Sequence, residues 1–143
     1  MGAQGATSTG IALRRPRVLL VEDQALVAMD FEGMLVDLGC AVVGPFARLA
    51  PALHAARSEP LDGAVLDVNL AGERSFPIAH LLLALQIPFF FVTGLTSAAL
   101  PPPLQGVPSL TKPVRTQAFA ALVQQFLVPV ISSTGSSSEP SPS

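Results

Sequence analysis

Charge is scarce in this chain, and so is sulfur. Of 143 residues only 13% are charged, and the formal net charge is −2. No basic excess exists to neutralise a phosphate backbone, so nucleic-acid binding is not expected. The single cysteine, Cys40, cannot form an internal disulfide. That fits a reducing cytoplasm. Following Gly39 at the start of an apolar run, it reads as a small core residue and not a nucleophile. A run of membrane length is also missing. The most apolar stretch, Leu81 to Val92, is interrupted by Gln86 and Pro88 and falls short of the ~20 residues a span needs. The first ten residues are small and polar, without the apolar segment of an export signal. Met1-Gly2 is not followed by the Ser or Thr at position 6 that myristoylation prefers. The basic segment Arg14-Arg15-Pro16-Arg17 reads as a solubilising lead-in. The chain has one lysine, Lys112, and one asparagine, Asn69.

What is present is a hydrophobic body, half of all residues, long enough for one self-sufficient domain. The expected division is a flexible lead over 1–14, a folded domain over 15–129 and a disordered Ser/Pro-rich tail over 130–143. Within the domain, strand and helix patterns alternate. Val18 to Val21 is an apolar run without alternation, as in a strand buried on both faces. Val27, Phe31, Met34, Leu35 and Leu38 recur at helical spacing before Gly39. Ala41 to Val43 reads as a strand ended by Gly44-Pro45, and Leu49 to Arg57 as a short helix. Ala64 to Leu66 reads as a third strand. Phe76 to Leu85 reads as a helix, with Pro77 tolerated in its first turn. Phe89 to Val92 and Val107 to Leu110 complete the strands, and Arg115 to Leu127 is a final helix. This alternation predicts an α/β fold with a parallel sheet covered on both faces. Ligands in such folds bind beyond the carboxyl ends of the strands.

Those ends carry the polar residues. Glu22 and Asp23 follow the first strand, Asp67 and Asn69 the third, Thr93 and Gly94 the fourth, and Lys112-Pro113 the fifth. Each has a structural alternative: Asp23 as a helix cap, Asp67 as a turn former. Together they are costly to a fold, since adjacent carboxylates raise each other's pKa. A hard cation would relieve that cost. A carboxylate is also a competent nucleophile toward phosphorus, and phosphoryl transfer needs mainly positioning and charge neutralisation. Lys112 can neutralise a phosphoryl oxygen and Thr93 can donate to another. His54 and His80 lie within helices, without metal-spaced partners.

The ordered set Val21-Glu22-Asp23, Asp67-Val68-Asn69, Thr93-Gly94 and Lys112-Pro113 resembles the receiver domain of two-component response regulators over about residues 16–128. Cys40 to Pro45 and Phe91 to Gly94 resemble stand-alone alphaproteobacterial receivers. The resemblance implies a flavodoxin-like, doubly wound five-stranded sheet of order 2-1-3-4-5. It implies Asp67 as phosphoacceptor, with Thr93 and Lys112 contacting the phosphoryl group. It implies Mg²⁺ held by Asp23, Asp67 and the backbone carbonyl of Asn69, with Glu22 acting through water, and a cis bond before Pro113. The implied partners are a sensor histidine kinase or phosphotransfer protein and a further downstream protein. The chain would be a monomer or weak homodimer in the cytoplasm, signalling by protein contacts or serving as a phosphate shuttle or sink. It would be no enzyme beyond Mg²⁺-dependent self-phosphorylation and self-dephosphorylation at Asp67. Two departures stand out. Ser109 replaces the aromatic many receivers carry three residues before the lysine. Pro101-Pro102-Pro103 shortens the fourth helix to a turn around Thr96 to Leu100. Two other readings remain: a receiver-like binding module that is never phosphorylated, and an Asp-nucleophile phosphatase or phosphotransferase.

Overall fold

The computed structural model describes residues 14–94 and 100–135. Strand β1 (Arg17–Val21) is followed by α1 (Ala25–Asp37), β2 (Ala41–Phe46), α2 (Leu49–Ser58) and β3 (Gly63–Asp67). Two short strands, β4 (Asn69–Leu70) and β5 (Glu73–Arg74), precede α3 (Phe76–Ala84) and β6 (Phe89–Thr93). A 3₁₀ turn (Pro102–Leu104), β7 (Ser109–Thr111) and α4 (Thr116–Gly135) complete the order. The main sheet runs β2-β1-β3-β6-β7, with every pairing parallel. Without the β4–β5 hairpin this is the doubly wound order 2-1-3-4-5.

The unbroken apolar runs are explained by burial on both faces. Leu19, Val21, Ala64, Leu66, Phe89 and Phe91 point into a layer shared with α2 and α3. Val18, Leu20, Val65, Phe90 and Val92 point into the layer under α1 and α4. All five residues of β3 and of β6 are buried, and so is the whole Phe89-Phe90-Phe91 run. In the second layer Phe119 of α4 stacks on Phe31 of α1 at 5.1 Å and meets Phe90 edge-on at 5.5 Å. This pins both helices to the sheet. Cys40 is buried in the same layer, and burial pushes its thiol up to about 11, so it is inert packing. His54 and His80 are exposed on α2 and α3.

Several boundaries differ from expectation. β2 does not stop at Gly44-Pro45 but runs on to Phe46, through a cis Gly44–Pro45 bond and a bulge opposite Leu20. β2 is an edge strand, where a proline costs no ladder hydrogen bond. β7 begins at Ser109 and not at Val107. The arginines of the lead-in are not merely solvated. Arg14 grips both oxygens of Asp62 at 2.6 and 3.0 Å, and Arg17 pairs with Glu59 at 2.6 Å. Burial works against the Asp62 charge, but the bonds from Arg14 and the Arg17 backbone outweigh it and hold this carboxyl below its ordinary value. α4 extends to Gly135, so the expected tail boundary near 130 falls inside it. The expected lead over 1–13, the remaining tail over 136–143, and residues 96–99 of the expected short fourth helix lie outside the described residues. The prolines themselves appear as the 3₁₀ turn Pro102–Leu104.

Gly44 is the position where the chain has least choice. Its φ is +116, and a Cβ there would lie 2.7 Å from the Leu20 carbonyl oxygen and 2.9 Å from the Phe46 nitrogen. Gly33, inside α1, would place a Cβ in open space. Gly44→Ala is therefore expected to cost about 1–3 kcal/mol. Gly33→Ala should gain about 0.5–1 kcal/mol. Urea denaturation of the two variants checks both signs, and equal effects would refute the assignment.

Candidate functional site

Parallel register brings the site together. Val21 pairs with Leu66, Asp67 with Val92 and Thr93 with Thr111, so the residues that follow these pairs emerge along one edge of the sheet. Glu22 is tied there by its backbone N–H, which donates to the Phe46 carbonyl at 2.9 Å across the β2 bulge. The Lys112 N–H donates to the Thr93 carbonyl at 2.7 Å, so the lysine leaves the sheet directly beside Thr93. The bond from Lys112 to Pro113 is cis.

All the expected residues meet at this edge. Glu22, Asp67 and Thr93 are buried, and Asp23 is half-buried. The Lys112 ammonium lies 2.8 Å from Glu22 Oε1 and 3.1 Å from Asp67 Oδ2. The Asn69 N–H donates to Asp67 Oδ1 at 3.2 Å, so Asp67 also serves the strand-end turn. One carboxylate oxygen each from Glu22, Asp23 and Asp67 lie within 4.8 Å of one another. Among the described residues this is the one such group of three, and it could hold a metal ion. An open pocket of about 190 Å³ sits over it, lined by Asp23, Gln24, Asp67, Asn69, Gly94 and Lys112.

Three features were not anticipated. The helix cap of α1 is Gln24, not Asp23, and its side chain makes no capping bond. Asp23 Oδ2 instead accepts from the Ala71 N–H at 3.0 Å, at the tip of the β4–β5 hairpin. That tip turns through two left-handed residues, Ala71 at φ 51 and Gly72 at φ 94. Third, the Gln24 carboxamide oxygen accepts from the Lys112 ammonium at 3.1 Å. Gly72 alone hinted at the turn. Nothing in sequence hints at a glutamine contact across 88 positions.

The charges do not balance locally. Burial and then the Glu22 carboxylate push the Asp67 carboxyl up to about 7, against the pull of Lys112. For Lys112, burial works against its charge. The bonds and charges of Glu22 and Asp67 outweigh that and hold it above the ordinary lysine value.

No protein-family model and no curated protein matches the chain. Solved structures do. SdrG of Sphingomonas melonis Fr1 is 36% identical, with 79% of this chain and 97% of that one covered and a TM-score of 0.70. A response regulator receiver protein from Sinorhizobium medicae WSM419 is 27% identical over 82% of this chain and 98% of its own, also at 0.70. The chain belongs to the response-regulator receiver family of two-component signalling. The receiver (REC) domain of the PhyR response regulator of Erythrobacter litoralis is a further likeness, 25% identical at a TM-score of 0.69, covering 82% of this chain and 93% of that domain. In this receiver the position three before the lysine, Ser109, opens β7 half-buried beside Phe91. Among the described residues no helix is long and apolar enough to cross a membrane.

The raised Asp67 value fixes a pH dependence. Unfolded, the carboxyl titrates near roughly 4. Folded and metal-free, it titrates at about 7. A raised acid stabilises the fold fully below its unfolded value and loses that contribution as pH rises through its folded value. With metal chelated, stability should therefore fall between pH ~4 and ~7, and Asp67→Asn should flatten that slope. At pH 8 the variant should melt higher by roughly 4 °C. Thermal melts across pH in chelator test this, and parallel slopes would exclude Asp67 as the group responsible.

Proposed function

We propose that this receiver accepts a phosphoryl group on Asp67 from a phosphohistidine-bearing partner, a histidine kinase or phosphotransfer protein. The observation that carries this reading is the placement of Asp67. Its carboxylate is buried at a pocket floor, between other carboxylates and in contact with the chain's one lysine. That is a nucleophile beside a charge sink. An oxygen of Asp67 attacks phosphorus, the donor's P–N bond breaks, and an acyl phosphate forms. Lys112 neutralises one phosphoryl oxygen, and the Thr93 hydroxyl donates to another. Residues 15–129 constitute the receiver in this reading.

The donor set fits Mg²⁺, since hard oxygen ligands clustered within 4.8 Å suit that ion and not a soft metal. Asp23, Asp67 and the backbone carbonyl of Asn69 would hold it, with Glu22 acting through water. Bound there, Mg²⁺ would offset the negative charge gathered by carboxylates and phosphoryl oxygens. Asp23 would bring to the ion a carboxylate whose Oδ2 accepts from the Ala71 N–H, which would link the hairpin to the metal.

Protein contact is the natural output. Leu26, Met29 and Val36 are exposed on α1 at 77%, 64% and 52%. With exposed Gly33 they share one helix face, flanked by Asp30, Glu32 and Asp37. An apolar stripe with an acidic border suits a protein partner presenting apolar and basic residues, and it begins one turn from the pocket. Signalling by such contacts, or shuttling phosphate between two partners, is the role we assign in the cytoplasm. Phosphorylation is confined to Asp67, with no small-molecule substrate turned over.

Asp67→Asn is expected to abolish acid-labile phosphorylation by a small donor such as acetyl phosphate in Mg²⁺, with the fold retained. Label persisting at the wild-type level would refute the assignment. A wild-type protein that stays unlabelled would favour the non-phosphorylated binding module, and sustained release of phosphate from small esters the phosphatase reading. Mg²⁺ should raise the melting temperature of the wild type by mass action on the native state, and Asp23→Ala should remove that gain. An undiminished shift in Asp23→Ala would place the ion elsewhere.

A further inference from the structure

One contact of Lys112 points to a residue outside the phosphoacceptor set. An ammonium has three N–H donors and no acceptor. Here two of them donate, to Asp67 Oδ2 and to Gln24 Oε1 at 3.1 Å each, while the nitrogen lies 2.8 Å from Glu22 Oε1 as an ion pair, an oxygen that accepts no hydrogen bond. A phosphoryl oxygen arriving beside Asp67 must take one of these donors. The ion pair with Glu22 and the bond to Asp67 join opposite charges in a buried setting, whereas Gln24 offers a neutral carbonyl on an exposed residue. Of the two hydrogen bonds, the one to Gln24 is the weaker.

Gln24 is also free to make this contact and give it up. It occupies the cap position of α1, yet its side chain caps nothing. Its backbone is fixed independently. The N–H donates to Glu22 Oε2 at 3.0 Å, and the carbonyl accepts from the Ala28 N–H at 2.8 Å. Moving the carboxamide therefore disturbs neither the helix start nor Glu22. Gln24 and Lys112 line the same pocket as Asp67.

We propose that Gln24 is a positioning residue that aims the Lys112 ammonium into the pocket at rest and releases it to the phosphoryl oxygen. The inference rests on Asp67 being the phosphoacceptor. Gln24 acts as a placeholder. It keeps one donor off Glu22 and Asp67 and off water, and being neutral it does not oppose the incoming anion. A carboxylate at the same place would hold as well but would not let go.

The single lysine makes the test direct, because ¹⁵N-lysine labelling of the full chain yields one side-chain signal. In Mg²⁺ alone, the ammonium hydrogens should exchange with water at least about tenfold faster in Gln24→Ala than in wild type, because a charge-assisted bond is lost. Gln24→Glu, which keeps the length and the acceptor, should retain the slow exchange. That rescue separates positioning from a general structural effect. On adding beryllofluoride as phosphoryl mimic, wild type and Gln24→Ala should converge on the same Lys112 signal. Gln24→Glu should bind the mimic about tenfold more weakly, the carboxylate competing for the ammonium and repelling the anion. Unchanged exchange in Gln24→Ala, or a difference from wild type that persists undiminished with beryllofluoride, would overturn the proposal. If wild type gains no phosphoryl mass from acetyl phosphate, the phosphoacceptor reading fails and the release step falls with it. The resting-state comparison still decides whether Gln24 aims the lysine.

Discussion

Two buried carboxylates, Glu22 and Asp67, share the ammonium of Lys112, and the arrangement of the sheet edge follows from that sharing. Burial and then the Glu22 carboxylate push Asp67 upward, against the pull of Lys112. Lys112 partly relieves the pair and does not neutralise it. A buried ion pair of this kind is weak evidence for stability, because desolvation can cancel the Coulombic gain. Its significance is elsewhere. The site gathers three carboxylates around one ammonium, a donor set that suits a hard cation, and it holds that cationic side chain beside Asp67.

The rest of the fold serves this geometry. Parallel strands in register deliver four chain segments to one edge, and the apolar layers hold that register from both sides. The β2 bulge extends an edge strand far enough for Phe46 to fix the Glu22 backbone. The bulge requires a residue without a Cβ, and Gly44 supplies it.

Most of this was legible in the sequence, for a physical reason. Strands buried on both faces must be apolar throughout, so Val18 to Val21, Ala64 to Leu66 and Phe89 to Val92 announce themselves. A polar residue directly after such a run must lie at the sheet edge, which located Glu22, Asp23, Asp67, Thr93 and Lys112. What stayed hidden depends on tertiary placement. Gly44-Pro45 reads as a stop and becomes a continuation because β2 has a free edge. The β4–β5 hairpin has two-residue strands, too short for any alternation, and Ala71 in its turn carries no turn signature. The alternative of Asp23 as a helix cap fails by one position, since Gln24 occupies the cap of α1. Gln24 looked like nothing at all, since only its nearness to Lys112 gives it meaning. Ser109 and the proline run were visible departures. The second is met by a 3₁₀ turn, while 95–99 lie outside the described residues.

The contact between Gln24 and Lys112 spans 88 positions, and that between Asp67 and Lys112 spans 45. The lysine sits in the last loop before the final helix, while the first two carboxylates belong to the first loop of the sheet. A chain emerging from synthesis, N-terminus first, therefore carries its acids long before their counter-charge. Until β7 docks against β6 there is no ammonium beside Asp67. The charge balance of the pocket thus depends on the completed sheet. A partly built or partly unravelled copy presents these acids without their lysine.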